Sequence, residues 1–234
     1  MISNQTVISI IPARGGSKGL KNKNLHPFLD IPLIGYTVNQ SIRSKSINHT
    51  FVSTDDRKIS EVAKNYGAKI ILRPDHLCSD KSSSESAIIH ALEEIKKEYG
   101  IKPDIIVFLQ ATSPLRQKED IDKSLKKFID KKADSLFTVT KASDLTIWSN
   151  DREWKSINFD YKKRQMRQDR LENYIENGSI YIFKPNLIEK FNNRIGGKIS
   201  TYEMEFWQTW EIDTIDEVDL VEFYIKKKGL NNFE

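Results

Sequence analysis

The chain has 234 residues, 30% charged and 38% hydrophobic, with a formal net charge of +4. That is the composition of a folded globular protein the size of one large α/β domain, which excludes a disordered or fibrous chain. Apolar runs are too short for a membrane span, and a single cysteine, Cys78, leaves neither an intrachain disulfide nor a cysteine cluster for zinc.

Residues 7–11 form an apolar, β-branched run stopped by Pro12, the pattern of a buried strand. Ala13-Arg14-Gly15-Gly16-Ser17-Lys18-Gly19 follows, with Lys21, Lys23 and Asn24 close behind. Glycine admits a close ligand, and turn N–H groups beside cations suit a triphosphate. The loop matches neither GxxxxGK[ST] nor GxGxxG, so alone it reads equally as a basic surface turn. Pro32 sits in the first turn of a helix expected to run to Arg43.

Strand and helix then alternate. Residues 49–53, 69–72, 105–109 and 135–139 read as strands. The run Ile105-Ile106-Val107-Phe108-Leu109 is that of a parallel strand covered on both faces. Helical spacing recurs at Ile59, Val62, Ala63 and Tyr66, and again at Ile88, Ala91, Leu92 and Ile95 behind a serine-rich N-cap segment. A further helix is expected over 119–130. The rhythm breaks over 140–176, which carries Trp148, Trp154, Phe159, Tyr161 and a basic run with Arg164, Arg167 and Arg170. This reads as an excursion from the sheet that meets a second subunit or roofs a site. Strand signal returns at 178–183, followed by a short helix after Pro185 and a polar loop through Gly196-Gly197. Residues 210–213 read as a strand, and 216–227 as a last helix opened by a Thr214/Glu217 capping box. The whole is one doubly covered, mostly parallel α/β domain of Rossmann-like type.

Ligands in such sheets sit at the carboxyl ends of strands. Polar residues gather at those ends: 14–24, Asp55 and Asp56, Arg73, Gln110, and Glu211 with Asp213. Two carboxylates two residues apart on a strand share a face and, beside a triphosphate loop, suit Mg²⁺. They are equally solvated residues at a strand end. The four histidines are scattered, and the dispersed cations fit an anionic small ligand at least as well as nucleic acid. No secretory pattern is visible, so a cytoplasmic protein is expected.

Several motifs together resemble the CMP-sialic acid synthetases (acylneuraminate cytidylyltransferases). They are 11–19 with Lys23-Asn24, Leu72-Arg73-Pro74, 109–116, Arg167-Gln168-Asp169, 176–181 and Ile212-Asp213, in family order over nearly the whole chain. The resemblance implies a cytidylyltransferase joining CTP to an acidic nine-carbon keto sugar, a sialic-acid-like nonulosonate, with Mg²⁺ and as a homodimer formed through the 140–176 excursion. It implies triphosphate contacts from Arg14, Ser17, Lys18 and Lys23 within the loop Ala13, Gly15, Gly16, and cytidine contacts from Asn24, Arg73, Ser82 and Ser84. Gln110 would lie between nucleotide and sugar, Arg167 would meet the sugar carboxylate, and Tyr181 would line the sugar pocket. Asp213 and Glu211 would hold the metal. Arg14, Lys18, Lys23, Gln110 and Asp213 would carry the chemistry. Three positions depart from that pattern: Glu211 replaces an aspartate, Ile195-Gly196 an aromatic pair, and Trp148 a lysine. The last two point away from N-acetylneuraminate itself. Another acidic keto sugar such as an octulosonate, another nucleotide, or a non-catalytic nucleotide-binding module remain as alternatives.

Overall fold

In the computed structural model, residues 5–17, 19–79, 82–142 and 144–230 are described, the side chain of Arg167 excepted. β1 (Val7–Pro12) leads through the glycine loop to a small ladder of β2 (Pro27–Phe28) with β3 (Ile31–Pro32), and then to α1 (Leu33–Arg43). There follow β4 (His49–Thr54), α2 (Arg57–Asn65), β5 (Lys69–Leu72), α3 (Ser84–Tyr99), β6 (Ile105–Leu109), α4 (Asp120–Asp130) and β7 (Ser135–Lys141). A hairpin of β8 (Trp148–Asp151) and β9 (Glu153–Ser156) precedes β10 (Tyr174–Phe183), α5 (Pro185–Phe191), β11 (Ile199–Met204) and α6 (Ile215–Lys228).

The central sheet has seven strands in the order β11-β7-β10-β6-β1-β4-β5. β4 and β6 flank β1 in parallel, β5 continues beside β4, and β11 runs parallel to β7. β10 alone is reversed, antiparallel to both β6 and β7. Alternate residues of each strand face opposite layers. Ile11, Val52 and Leu109 pack with Val38 of α1, Ile59 of α2 and Leu125 of α4. Ile8, Ile10 and Phe108 pack on the other face with Ile88 and Ile95 of α3 and Leu187 of α5. Each such side chain contributes roughly 1.5–3 kcal/mol by leaving water. The expected two-sided, Rossmann-like α/β sheet is thus what forms.

A third cluster sets α6 apart from these layers. Val218, Val221 and Ile225 pack with Phe28, Leu33, Trp207 and Ile212. Glu217 accepts the Asp213 and Thr214 N–H groups at 2.6 and 2.7 Å, the expected stop at the helix entrance.

One expectation needs correction, and one strand is new. Residues 210–213 are not a strand. They follow a 3₁₀ turn at Phe206–Thr209 without ladder partners and end in a bend at Asp213, and the Ile212 N–H donates to the Thr112 carbonyl at 2.9 Å. The polar loop through Gly196-Gly197 forms as expected, but it leads into β11, an edge strand on β7 that the sequence pattern does not announce. Its side chains are mostly half-exposed, so it carries no apolar run.

Candidate active site

β4 and β5 lie on one side of β1 and β6 on the other, which makes the β1/β6 boundary the switch point where crevices open. A cleft of about 400 Å³ lies there, walled by Arg14, Ser17, Lys23, Asn24, Gln110 and Asp213. Past Ser84 it meets a second lobe of about 260 Å³, walled by Arg73, Leu77, Ser79, Ser82 and Ser83.

The loop after β1 is held from both sides. Asn24 Nδ2 donates to the Arg14 carbonyl at 3.0 Å, and the Gly15 N–H donates to Asp55 Oδ1 at 3.0 Å. A side chain at Gly15 would meet Asp56 Oδ2 at 2.8 Å, so only glycine lets the loop lie against the end of β4. A phosphate at the Gly15 amide would displace Asp55. Asn24 Oδ1 is buried with no protein partner, an acceptor ready for a ligand donor.

In the second lobe Arg73 donates to the Ser53 hydroxyl at 3.2 Å and the Ser53 carbonyl at 2.7 Å. Burial pushes its pKa below the ordinary arginine value, and Asp55 opposes the shift. Ser83 caps α3 by accepting the Ser86 N–H at 3.1 Å. Ser84, in the first turn, borders both lobes, so the positive end of the α3 dipole faces them.

Of the two carboxylates, Asp213 walls the cleft and Glu211 lies against Gln110, which also walls it. Lys23 Nζ donates to Asp213 Oδ1 at 2.6 Å, while Gln110 Nε2 donates to Glu211 Oε2 at 3.3 Å. Glu211 has its pKa raised, first by burial and then by the Asp213 charge, with Lys23 and Arg116 opposing. Gly178 makes room for Glu211: its φ is +66°, and a Cβ there would lie 3.1 Å from Glu211 Cδ and overlap the carboxylate. No group of three or more His, Cys, Asp or Glu poised for a metal occurs among the described residues. Two adjacent carboxylates with hard oxygen donors, bordering a cationic loop, are instead a fit for Mg²⁺ shared with phosphate oxygens.

Arg14, Ser17, Lys23, Asn24, Ser84, Gln110 and Asp213 therefore come together in the first lobe, with Glu211 against Gln110, and Arg73 and Ser82 in the second. Ala13, Gly15 and Gly16 form the loop beneath them. Lys18 and the side chain of Arg167 lie outside the described residues. Tyr181 stands behind the cleft wall: it is 3% exposed, its ring meets Phe108 edge-on at 5.8 Å, and its hydroxyl donates to Glu176. Burial and that carboxylate raise its pKa. Sequence reasoning missed Arg116, wholly buried beneath Gln110, and Arg194, which stacks on Tyr181 at 4.3 Å and pairs with Glu85 at 2.6 Å. Arg116 closes the Pro114-Leu115-Arg116 run, but nothing in a lone cation's spacing marks it as buried.

The excursion exposes its aromatic residues. Trp154 is 67% exposed, and Trp148 packs against Phe159 and Tyr161 at 5.3 and 5.5 Å. Below it opens a hollow of about 800 Å³, bordered by Lys141, Leu145, Gln168, Arg170, Glu172 and Phe206. It is larger than the cleft but lies away from the glycine loop. Among the described residues no helix is long and apolar enough to cross a membrane.

The profile of the cytidylyltransferase family matches residues 8–230. The chain belongs to that family. This cytidylyltransferase is 30% identical to "Post-translational flagellin modification protein B" of Campylobacter coli, over 96% of its own length and 97% of that protein. It is 31% identical to the N-acylneuraminate cytidylyltransferase of Escherichia coli over 95% of its length, but spans 53% of that relative. It is 38% identical to the pseudaminic acid cytidylyltransferase of Campylobacter jejuni over 57% of its length and 58% of that protein. The chain spans about half the length of the N-acylneuraminate relatives it matches. Among solved structures, CMP:2-keto-3-deoxy-manno-octonic acid synthetase complexed with CTP superposes with a TM-score of 0.70 at 16% identity, over 95% of this chain and 99% of that one. The 4-diphosphocytidyl-2C-methyl-D-erythritol synthase of Anaerococcus prevotii gives 0.66 at 13%, over 95% and 99%. These two show a shared fold.

Proposed function

We propose that this cytidylyltransferase activates an acidic nine-carbon keto sugar, a sialic-acid-like nonulosonate, with CTP and Mg²⁺, releasing pyrophosphate. The observation that carries the reading is the β1/β6 cleft, which Arg14 and Lys23 line together with Gln110 and Asp213, with Glu211 against Gln110. The family supplies the nucleotide. The relatives named for N-acylneuraminate and pseudaminic acid supply the sugar class.

In the proposed reaction the sugar's anomeric hydroxyl attacks the α-phosphorus of CTP, and positioning with cationic stabilisation carries the rate. Arg14, Ser17, Lys18 and Lys23 meet the triphosphate, whose charge grows on the departing pyrophosphate. Asn24, Arg73, Ser82 and Ser84 surround the cytidine, with Asn24 Oδ1 free to accept from it. Gln110 stands between nucleotide and sugar. Asp213, with Glu211, holds Mg²⁺, which when bound adds positive charge at the phosphate and lowers the pKa of a nearby hydroxyl. None of the histidines borders either lobe, so none is placed as a base. Arg167 takes the sugar carboxylate through its two-pronged guanidinium. Tyr181 supports Phe108 beneath the sugar. The 140–176 excursion pairs with a second copy, covering its exposed tryptophans, and the supply of CTP places the enzyme in the cytoplasm.

The test is pyrophosphate release with CTP, UTP, ATP and GTP, each against a panel of acidic keto sugars of eight and nine carbons. The expected result is turnover with CTP and a nonulosonate. Equal rates with all four triphosphates would remove the cytidine claim, and preference for an octulosonate would replace the sugar.

A further inference from the structure

We infer that Arg116 is a positioning residue of the transferase site, a wedge between the ends of β6 and β10 that sets Gln110 and the seat of Glu211. The β6·β10 ladder pairs Leu109 with Ile180, and the next step would bring Gln110 opposite Ser179. The ladder stops short of that step. The carbonyls of Gln110 and Ser179 both accept from one nitrogen, Arg116 Nη2, each at 2.7 Å. The other arm, Nη1, donates to Gln40 Oε1 at 3.0 Å and Thr37 Oγ1 at 3.2 Å, both on α1. The side chain is 1% exposed and all four acceptors are neutral oxygens.

A buried cation is a poor choice if packing were its only task, because apolar residues of similar volume serve stability as well or better. The planar guanidinium fork, however, ties both carbonyls to one nitrogen while its second arm anchors that nitrogen to α1, which a single-headed ammonium cannot do. Just beyond the wedge, Gly178 turns with φ +66° and leaves the space that the Glu211 carboxylate fills. Gln110 reaches that carboxylate at 3.3 Å. One guanidinium thus fixes the backbone on both sides of the gap.

The kinetic part of the test rests on the transferase reading, and the exchange part does not. Arg116→Lys keeps the charge and much of the volume but loses the fork. Its kcat for pyrophosphate release is expected to fall on the order of 30-fold, with KM for CTP changed less than about threefold, as misplaced reacting groups predict. In a Glu211→Gln background the same substitution should cost clearly less than in the wild type, because the part that acts through Glu211 has little left to position and only the part through Gln110 remains. An equal cost in both backgrounds, or an unchanged kcat in folded Arg116→Lys, overturns the inference. Hydrogen exchange should rise about tenfold or more at 178–180 and Ile212 in Arg116→Lys while Ile10 and Val52 stay protected. No local rise overturns it as well. If the wild-type protein releases no pyrophosphate, the transferase reading falls and exchange alone decides the wedge. Should Arg116→Lys not fold, Gln40→Met, which leaves Arg116 in place and removes an acceptor that aims it, carries the same cycle and the same exchange measurement.

Discussion

Replacing Gly178 by alanine tests whether the carboxylate pair does the work assigned to it. Gly178 lies at φ +66°, and a Cβ there would sit 3.1 Å from Glu211 Cδ and 3.2 Å from Gln110 Oε1, overlapping the carboxylate oxygen between them. Two costs follow. The left-handed backbone costs a non-glycine residue roughly 1–2 kcal/mol. In a chain of this size, each kcal/mol lowers Tm by roughly 2–4 °C, so a fall of about 2–8 °C is expected. The second cost is positional. Glu211 must retreat by about 1 Å or more to restore van der Waals contact, a displacement of the size that costs on the order of 10²-fold in rate.

Gly100 supplies a matched control. It caps α3 at φ +65°, and a Cβ there meets nothing within 4 Å. Gly100→Ala should therefore carry the backbone cost without the displacement. Scanning calorimetry and initial rates of pyrophosphate release, run on both variants, separate the two effects. The expected result is a comparable loss of Tm with activity lost only in Gly178→Ala. If folded Gly178→Ala turns over within threefold of Gly100→Ala, the position of Glu211 is immaterial to the reaction and the reasoning fails.

Three further outcomes are expected. Asp213→Asn should lower kcat and kcat/KM together, on the order of 10²-fold. It should change stability by less than about 1 kcal/mol, since its bridge to Lys23 is at an exposed carboxylate; near-normal kcat would reduce Asp213 to a solvated acid at the entrance to α6. Glu211→Gln should stabilise the metal-free protein at pH 8. A carboxyl with a raised folded pKa loses stability as pH rises through its titration, so the gain should vanish below about pH 4; Tm measured in chelator at both pH values checks this, and a loss of Tm at pH 8 refutes it. Sedimentation at micromolar concentration should show a dimer that Trp154→Glu weakens, because exposed apolar clusters mark interfaces; a wild-type monomer would count decisively against the excursion's proposed role.

The strands that frame the cleft were legible because burial on both faces leaves an uninterrupted apolar run, as in Ile105-Ile106-Val107-Phe108-Leu109. β11 was not, because an edge strand pairs on one side only and Ile199-Ser200-Thr201-Tyr202-Glu203-Met204 buries only Met204. The alternation of Trp210-Glu211-Ile212-Asp213 was a true signal with the wrong cause. Ile212 enters the α6 cluster while Glu211 packs on Gly178 and Asp213 meets Lys23, with a hydrogen bond to Thr112 and no ladder. The site's polar residues were legible where they follow strand ends. Arg116 was not, since its burial depends on two carbonyls far apart in sequence, Gln110 and Ser179, meeting across the sheet.

The reversed strand gives the site its particular form. Parallel strands can offer a cleft only their carboxyl ends and the loops beyond them. β10 runs the other way, so its entry rather than its exit lies beside Leu109, which puts Gly178 against Gln110 and Glu211 at the edge of the cleft. Asn177, next to Gly178 in the chain, is buried, accepting from the Thr138 hydroxyl at 2.5 Å and the Ser179 N–H at 3.3 Å, which holds the irregularity between Glu176 and Tyr181 in place. The same reversal fixes where the excursion begins and ends. Lys141 and Tyr174 are paired across β7 and β10, so both of its roots stand at the cleft end of the sheet. Tyr174 leads along one strand to Gly178, and Gly178 seats Glu211. A second copy gripping the excursion would therefore pull on the strand that shapes the carboxylate pair, which is a physical reason for assembly and catalysis to be linked in this fold.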